Sequence, residues 1–426
     1  MRRVWPLWVV SAWLAIPGAV AAHTEGTQRL GDAADGYFAS LDPAMATAPG
    51  GHTAALAAAG KRMTVRRAAP GSPFTRRRLL MLGTRAGSPA VATGDELTAL
   101  AWTHFDGSVT MSIDDEDCCW RLRAATMDPA GRVSRPRELS SPGYNLGEID
   151  AVVRGRRAAL ACVDGRGVRA SSASGRGGRF GPPRTLSRRV VSLLGVALGD
   201  SGPRVFMLWH SRVVEAWRAG GRARQRVLGR FARSDGVLTA AVTPVGHLLL
   251  VGTPRPNPKR VHRAVVAYRR PGGRLRRQVV RLGRRVTSPA IAVALSPTGR
   301  GLLAMQAGLT GIELRSVTNI GRVGRARRVR ALATRSGKPT DLALAINAAG
   351  AGVLAAQVQS EHDKNHYTQT VAWVLAPGAR PGRRRVLSFA RPTVVTPDGV
   401  TATIDGTGRR RVAWVVDNDV LATRLR

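Results

Sequence analysis

The stretch LGVALGDSGPRVFMLWHSRVVEAWRAGGRARQRVL, residues 194–228, holds four short runs divided by turns. Leu194–Leu198 is apolar. A Gly-Asp-Ser-Gly turn leads to Arg204–Trp209, apolar after its first residue. Val213–Arg218 is mixed, and a Gly-Gly turn leads to the arginine-bearing run Arg224–Leu228. Short apolar runs bounded by glycine turns predict strands buried on both faces, and they are too short for helices. The gradient from an apolar first strand to a charged fourth is that of a propeller blade, whose inner strands are packed and whose outermost strand meets water.

The same order recurs along the chain. First strands are expected at Ala90–Thr93, Ile149–Val153, Leu194–Leu198, Leu238–Val242, Ala290–Leu295, Leu342–Ile346 and Val400–Ile404. Second strands follow them, from Leu97–Trp102 to Val412–Val416. A period of this length marks a repeat architecture. We therefore expect an all-β fold, a seven-bladed β-propeller of four-stranded antiparallel blades over residues 61–426, with six or eight blades also compatible. The last repeat stops after its third strand, Val420–Leu425. Arg76–Leu82 is the expected orphan fourth strand that closes the ring and removes two sheet edges. Met63–Ala68 resembles a third strand for which seven blades leave no place.

The run VRASSASGRGGRFGPPRTLS, residues 168–187, resembles repeats of exported bacterial propellers of the sialidase-like, Asp-box group. Ser172, Ser174, Gly177 and Phe180 occupy the turn where an Asp box would lie. Its Asp is absent and its spacing differs by one residue. The resemblance spans about residues 61–426 as pattern more than identity, and it implies the fold more than the activity. The dipeptide signature of WD40 blades is absent.

Residues 1–22 read as a signal peptide. Arg2 and Arg3 precede an apolar core from Val4 to Pro17, and Ala19-Val20-Ala21 offers a small-x-small cleavage site. Residues 23–60, rich in Ala, Gly and Thr, are expected as a low-complexity linker. Nothing later is long and apolar enough to cross a bilayer. The expected location is therefore secreted or associated with the cell envelope, as a monomer. Export permits a disulfide between Cys162 and one of the adjacent Cys118 and Cys119; buried free thiols are the alternative.

Lys and Arg number 66 against 27 Asp and Glu, a formal charge of +39. All but Lys61, Lys259, Lys338 and Lys364 of those cations are arginine, which pairs with phosphate and carboxylate in a planar fork. A polyanion partner accounts for this excess, and so does a coding bias that fills tolerant surface positions with Arg. Nucleic acid would be held only non-specifically.

No complete catalytic motif occurs. Gly337-Lys338-Pro339-Thr340 lacks the upstream glycine of a phosphate loop, no G-x-S-x-G is present, and Asp114–Asp117 lacks the ligand spacing of an EF-hand. His362 and His366 lack the H-E-x-x-H pattern. We expect no metal and no cofactor. Trp102, Trp209 and Trp414 end second strands and are expected in the core. One rim carries short glycine turns; the other carries longer loops and the crossovers between blades. Function is expected on the second rim, where Glu148, Asp150, Asp235, Asp341 and Asp398 precede or begin first strands and a loop carries His362, Asp363 and His366. The expected function is a non-catalytic exported scaffold that binds anionic cell-envelope material or another exported protein. The alternative is a sialidase-like carbohydrate-active hydrolase or lyase whose site lies at the channel mouth.

Overall fold

The computed structural model describes residues 27–425 apart from 33–43, 60–61, 76, 83–85, 106–119, 141–147, 165, 176, 190, 232–237, 254–260, 287–289, 309, 331–336, 363–364, 390–398 and 417–418. The described residues form eight four-stranded antiparallel sheets, each a blade. The innermost strands, in order, are Ala44–Thr47, Ala86–Thr93, Ile149–Arg154, Ser192–Gly199, Leu238–Val242, Ile291–Leu295, Gly337–Ile346 and Val400–Ile404. Each touches the innermost strand of the next blade, and the eighth touches the first, so the ring is closed.

The ring has eight blades rather than seven. The added blade comprises Ala44–Thr47, Thr53–Ala59, Arg62–Ala68 and Arg78–Leu82. Met63–Ala68 therefore belongs to an ordinary third strand. The stretch expected to close the ring is the fourth strand of this same blade, with Arg62 opposite Leu82. Residues 23–60, expected as a linker, hold three strands. Their first, Gln28–Asp32, closes the ring: it pairs with the last strand, Asp419–Leu425, with Gln28 opposite Ala422. Alanine hid this blade, because a four-residue innermost strand of sequence AMAT and a second strand of TAALAAA show little contrast with a small-residue loop.

The cores lie between successive blades and draw on first, second and third strands, with one or two residues from the fourth. Trp102 and Trp414 are fully buried as expected, whereas Trp209 is only half-buried. Phe180, the aromatic of the Asp-box-like turn, is 1% exposed and packs with Leu97 of blade 2 and Leu160 of blade 3. Its turn is clamped to blade 2 by a hydrogen bond of 2.8 Å from the Thr126 hydroxyl to the Gly178 carbonyl.

One turn recurs on the glycine rim. In Asp128-Pro-Ala-Gly131-Arg132, Ser296-Pro-Thr-Gly299-Arg300 and Asp405-Gly-Thr-Gly408-Arg409, the fifth residue's amide donates to the first residue's side chain at 2.8, 3.1 and 2.8 Å. The glycine amide donates to the first residue's carbonyl. The glycines have φ of 83°, 79° and 87°, where a Cβ is disfavoured. These Asp and Ser side chains are buried because they replace water on an otherwise orphaned amide.

Ion pairs join the blades as well. Glu215, 1% exposed, accepts from Arg226 at 2.7 Å and Arg204 at 3.2 Å within blade 4, and from the buried Arg269 of blade 5 at 3.0 Å. Arg269 also donates to the Gly273 and Gly246 carbonyls. Glu313 is equally buried, but its partners Arg315 and Arg328 are 15% and 55% exposed.

Two outcomes follow from this architecture. Deleting residues 27–32 uncovers the edge of Asp419–Leu425 and removes Leu30 from the junction of the first and last blades, and it should lower the thermal midpoint by about 5 °C or more and promote self-association. Light scattering and a melting curve identical to the intact chain would refute the closure. Glu215→Gln strands the Arg269 charge in the interior and should cost about 3 kcal/mol or more, since breaking one partner of a buried pair is expensive. Glu313→Gln should cost less, because its arginines can reach water; denaturant midpoints compare the two.

Candidate functional site

The crossover rim is where the sequence placed its carboxylates, and the structure brings three of them into view. Asp150 lies on the innermost strand of blade 3. Its Oδ2 accepts the Val196 amide, on the innermost strand of blade 4, at 2.7 Å. Asp341 does the same from blade 7 to blade 8: its Oδ2 accepts the Val400 amide at 2.9 Å, and its Oδ1 the Leu342 amide at 2.7 Å. Glu148, just before the same strand, lies near the Leu193 amide at the start of blade 4, two residues from Asp150. Residues so spaced share a face.

Glycine makes this stapling geometry possible. Between Leu193 and Gly195 the register of blade 4's innermost strand shifts, and Gly195 sits at φ 145°. A Cβ there would lie 2.5 Å from a Val242 methyl and 3.1 Å from Asp150 Oδ2. The bulge turns the Val196 amide away from its own ladder and toward Asp150.

Desolvation raises the Asp150 carboxyl to about 6, outweighing the amide hydrogen bonds that favour its charge. Glu148 is also raised by burial. A raised carboxyl is one mark of a general acid. Here the oxygens are committed to main-chain amides, so these groups act first as inter-blade staples.

Asp235, Asp363 and Asp398, the acidic run Asp114–Asp117, and Cys118 and Cys119 lie outside the described residues. Cys162 is a free, buried thiol, pushed up to about 12 by burial and then by the Asp164 charge. The segment expected as a loop around His362 is a hairpin. Strands Gly352–His362 and Asn365–Ala376 stay paired to its end, with Glu361 opposite His366 and His362 opposite Asn365. The two histidines therefore lie on opposite strands rather than on one irregular loop. Polar residues hid this ladder, because the sequence QSEHDKNHYTQ shows no apolar alternation from which a strand could be read. Gly337–Thr340 opens the innermost strand of blade 7, with no phosphate-loop geometry. Among the described residues no cluster of His, Cys, Asp and Glu could hold a metal.

One feature escaped the sequence, and a second was read there only blade by blade. On the crossover rim of blade 4, Arg189 stacks on the Trp209 ring at 3.7 Å and Arg212 lies 5.7 Å from it. Beside them His210 takes φ 53°, unusual for a residue with a side chain. The second feature is larger. The outermost strands of blades 4 to 7, Arg222–Arg230, Arg276–Val286, Arg327–Arg330 and Arg380–Phe389, carry many arginines and no Asp or Glu. Arg222, Arg224, Arg276, Arg277, Arg327 and Arg385 are all exposed. The arginines scattered along the chain thus converge on the outer wall once the blades form. Period-four strand order carries that signal, since every fourth strand faces outward.

No family model matches the chain, and no curated protein matches it. Among solved structures it is similar to streptogramin B lyase, at 10% identity over 79% of this chain and 93% of that one, with a TM-score of 0.42. It is similar to a mutant NanB sialidase from Streptococcus pneumoniae at 8% identity over 94% and 70% of the two chains, with a TM-score of 0.40. The β-propeller domain of Myceliophteria thermophila Cps50 (Swd1) gives 14%, 72%, 92% and 0.42. None of these likenesses bears on what this chain does.

The staples set a pH dependence. Because the folded Asp150 carboxyl is raised, the folded state binds its proton more tightly than the unfolded chain. Stability from that proton is full below about pH 4 and is lost as pH rises through about 6. Asp150→Asn keeps an acceptor for Val196 and removes the charge. Its stability should fall less between pH 4 and 6 than that of the native chain, measured by denaturant midpoints. Equal slopes would show that the carboxylate is not held as described. Gly195→Ala should destabilise at every pH, by about 2 kcal/mol or more, through strain and the Val242 clash.

Proposed function

We propose that the protein is a non-catalytic, exported scaffold that binds an anionic polymer of the cell envelope through its outer wall. The observation that carries this reading is the run of four consecutive outermost strands rich in exposed arginine and free of acidic residues. Alternate residues on a strand share a face and lie about 7 Å apart. Arg222, Arg224 and Arg226 thus form one row, of which only Arg226 is held by a carboxylate, Glu215. Guanidinium groups suit phosphate, sulfate and carboxylate alike. A polymer lying across several blades would meet several such rows and gain avidity without a deep pocket. The commitment of Asp150 and Asp341 to backbone amides disfavours a hydrolase that uses those residues at the channel mouth.

Retention on a heparin or polyphosphate resin tests this reading. Binding that depends on released counterions weakens steeply with salt. The combined substitution of Arg224, Arg276, Arg277 and Arg327 by Gln should lower the eluting salt and flatten the dependence of log K on log salt. An unchanged elution position in that variant, with the melting temperature kept, would move the binding surface elsewhere.

A further inference from the structure

We infer that a cleft between blades 3 and 4 takes one anionic sugar unit, an inference that rests on the polyanion reading above and gives it a subsite. The cleft has a volume of about 300 Å³. One wall is the third strand of blade 3 with its following turn and the start of the fourth strand; the other is the first turn of blade 4, Ser201 to Pro203, with Arg218 beyond it. Two guanidinium groups line it, Arg184 and Arg218.

These two arginines differ from those around them. Arg169 is paired with Asp164, Arg204 and Arg226 with Glu215, and Arg157 donates to the Gly199 and Asp200 carbonyls. Arg184 and Arg218 have no carboxylate and no hydrogen-bond partner among the described residues, and no Asp or Glu lines the cleft. Two cations that share one concavity without a counter-ion repel each other, and an anion between them relieves that repulsion.

The remaining lining narrows the ligand. Pro182 and Pro203 offer flat apolar faces and Leu186 a buried apolar one. Ser172 and Ser201 are exposed hydroxyls able to donate or accept. A sugar ring has one apolar C–H face and a rim of hydroxyls, and a carboxylate or phosphate on it would reach the arginines. The volume suits a single ring rather than an extended chain. The cleft is rigid, because the turn that forms it is anchored by Phe180, by the Gly181 amide on the Ser172 carbonyl at 2.9 Å, and by the Ser171 hydroxyl on the Gly181 carbonyl at 2.7 Å.

Calorimetric titration of the full chain with glucuronate, glucose 6-phosphate, glucose and inorganic phosphate tests the inference. Glucuronate or glucose 6-phosphate should bind at least tenfold more tightly than glucose and than inorganic phosphate; which of the two binds better tells whether the unit is a uronate or a sugar phosphate. Arg184→Gln with Arg218→Gln should weaken that binding at least tenfold at an unchanged melting temperature. Ser201→Trp, which fills the mouth and leaves the charge intact, should weaken it too. The outer-wall variant of blades 4 to 6 should keep it. Failure of both anionic sugars to bind, or equal binding of glucose or of bare phosphate, overturns the subsite and leaves polymer retention on the outer wall standing. Loss of polymer retention in the wall variant's native parent, with sugar binding intact, overturns the wall and leaves the subsite.

Discussion

The last blade has no fourth strand of its own, and the ring exists because Gln28–Asp32 supplies it. That strand does more than complete a ladder. Leu30 is buried among Met45 and Ala55 of blade 1 and Ala413 and Val420 of blade 8, so one side chain joins the two ends of the chain. Arg66 of blade 1 donates to the Leu30 carbonyl, and the Gln28 side chain accepts the Phe74 amide. From the other side Arg411 and Arg424 of blade 8 reach the Ser72 and Gly71 carbonyls. Every other blade is held by neighbours that are already adjacent in sequence. This junction alone must be brought together over the whole chain, with the loop-closure entropy that entails.

Acidic residues are scarce, and the fold spends them on its own backbone. Asp128 and Asp405 cap turns, Asp150 and Asp341 staple innermost strands, and Glu215 and Glu313 each gather several arginines. Each is at least partly buried, where an unmet amide or guanidinium would be costly. The consequence is electrostatic: carboxylates work inside and between blades and reach few outer arginines, Arg226 and Arg328 among them, so the outer strands of blades 4 to 7 keep an excess of positive charge.

How much of this could be seen in the sequence depends on whether a residue's role is periodic. Apolar first and second strands repeat, and those of seven blades were placed within a few residues. The alanine-rich blade lacked contrast and was divided between a linker and an orphan pair of strands. Asp150 lies at the start of its innermost strand as expected, and Asp341 lies inside Gly337–Ile346 rather than just before a strand, but the partners of both sit on the next blade. No single-strand pattern reports such a contact. The Asp/Ser-x-x-Gly-Arg turns were written in the sequence at 128, 296 and 405 and could have been found by their own spacing. The cleft of Arg184 and Arg218 could not, since 34 residues and a blade boundary separate its two cations.

The outer arginines answer a problem that every propeller has. Each blade ends in a strand whose outward N–H and C=O groups are open to another chain. Val227 and Val279, 53% and 59% exposed, lie on two of these edges and would invite such pairing. Arginine on either side makes edge-to-edge approach repulsive. The same charge acts against the fold, because a chain of +39 repels itself and that repulsion is strongest at low salt. A bound polyanion would lower the self-repulsion while covering the edges by occupancy instead of charge. Binding and folding are then linked through one set of side chains, and a polyanion that prefers the folded wall to the unfolded chain would stabilise the ring by an amount that grows with the logarithm of its concentration above Kd.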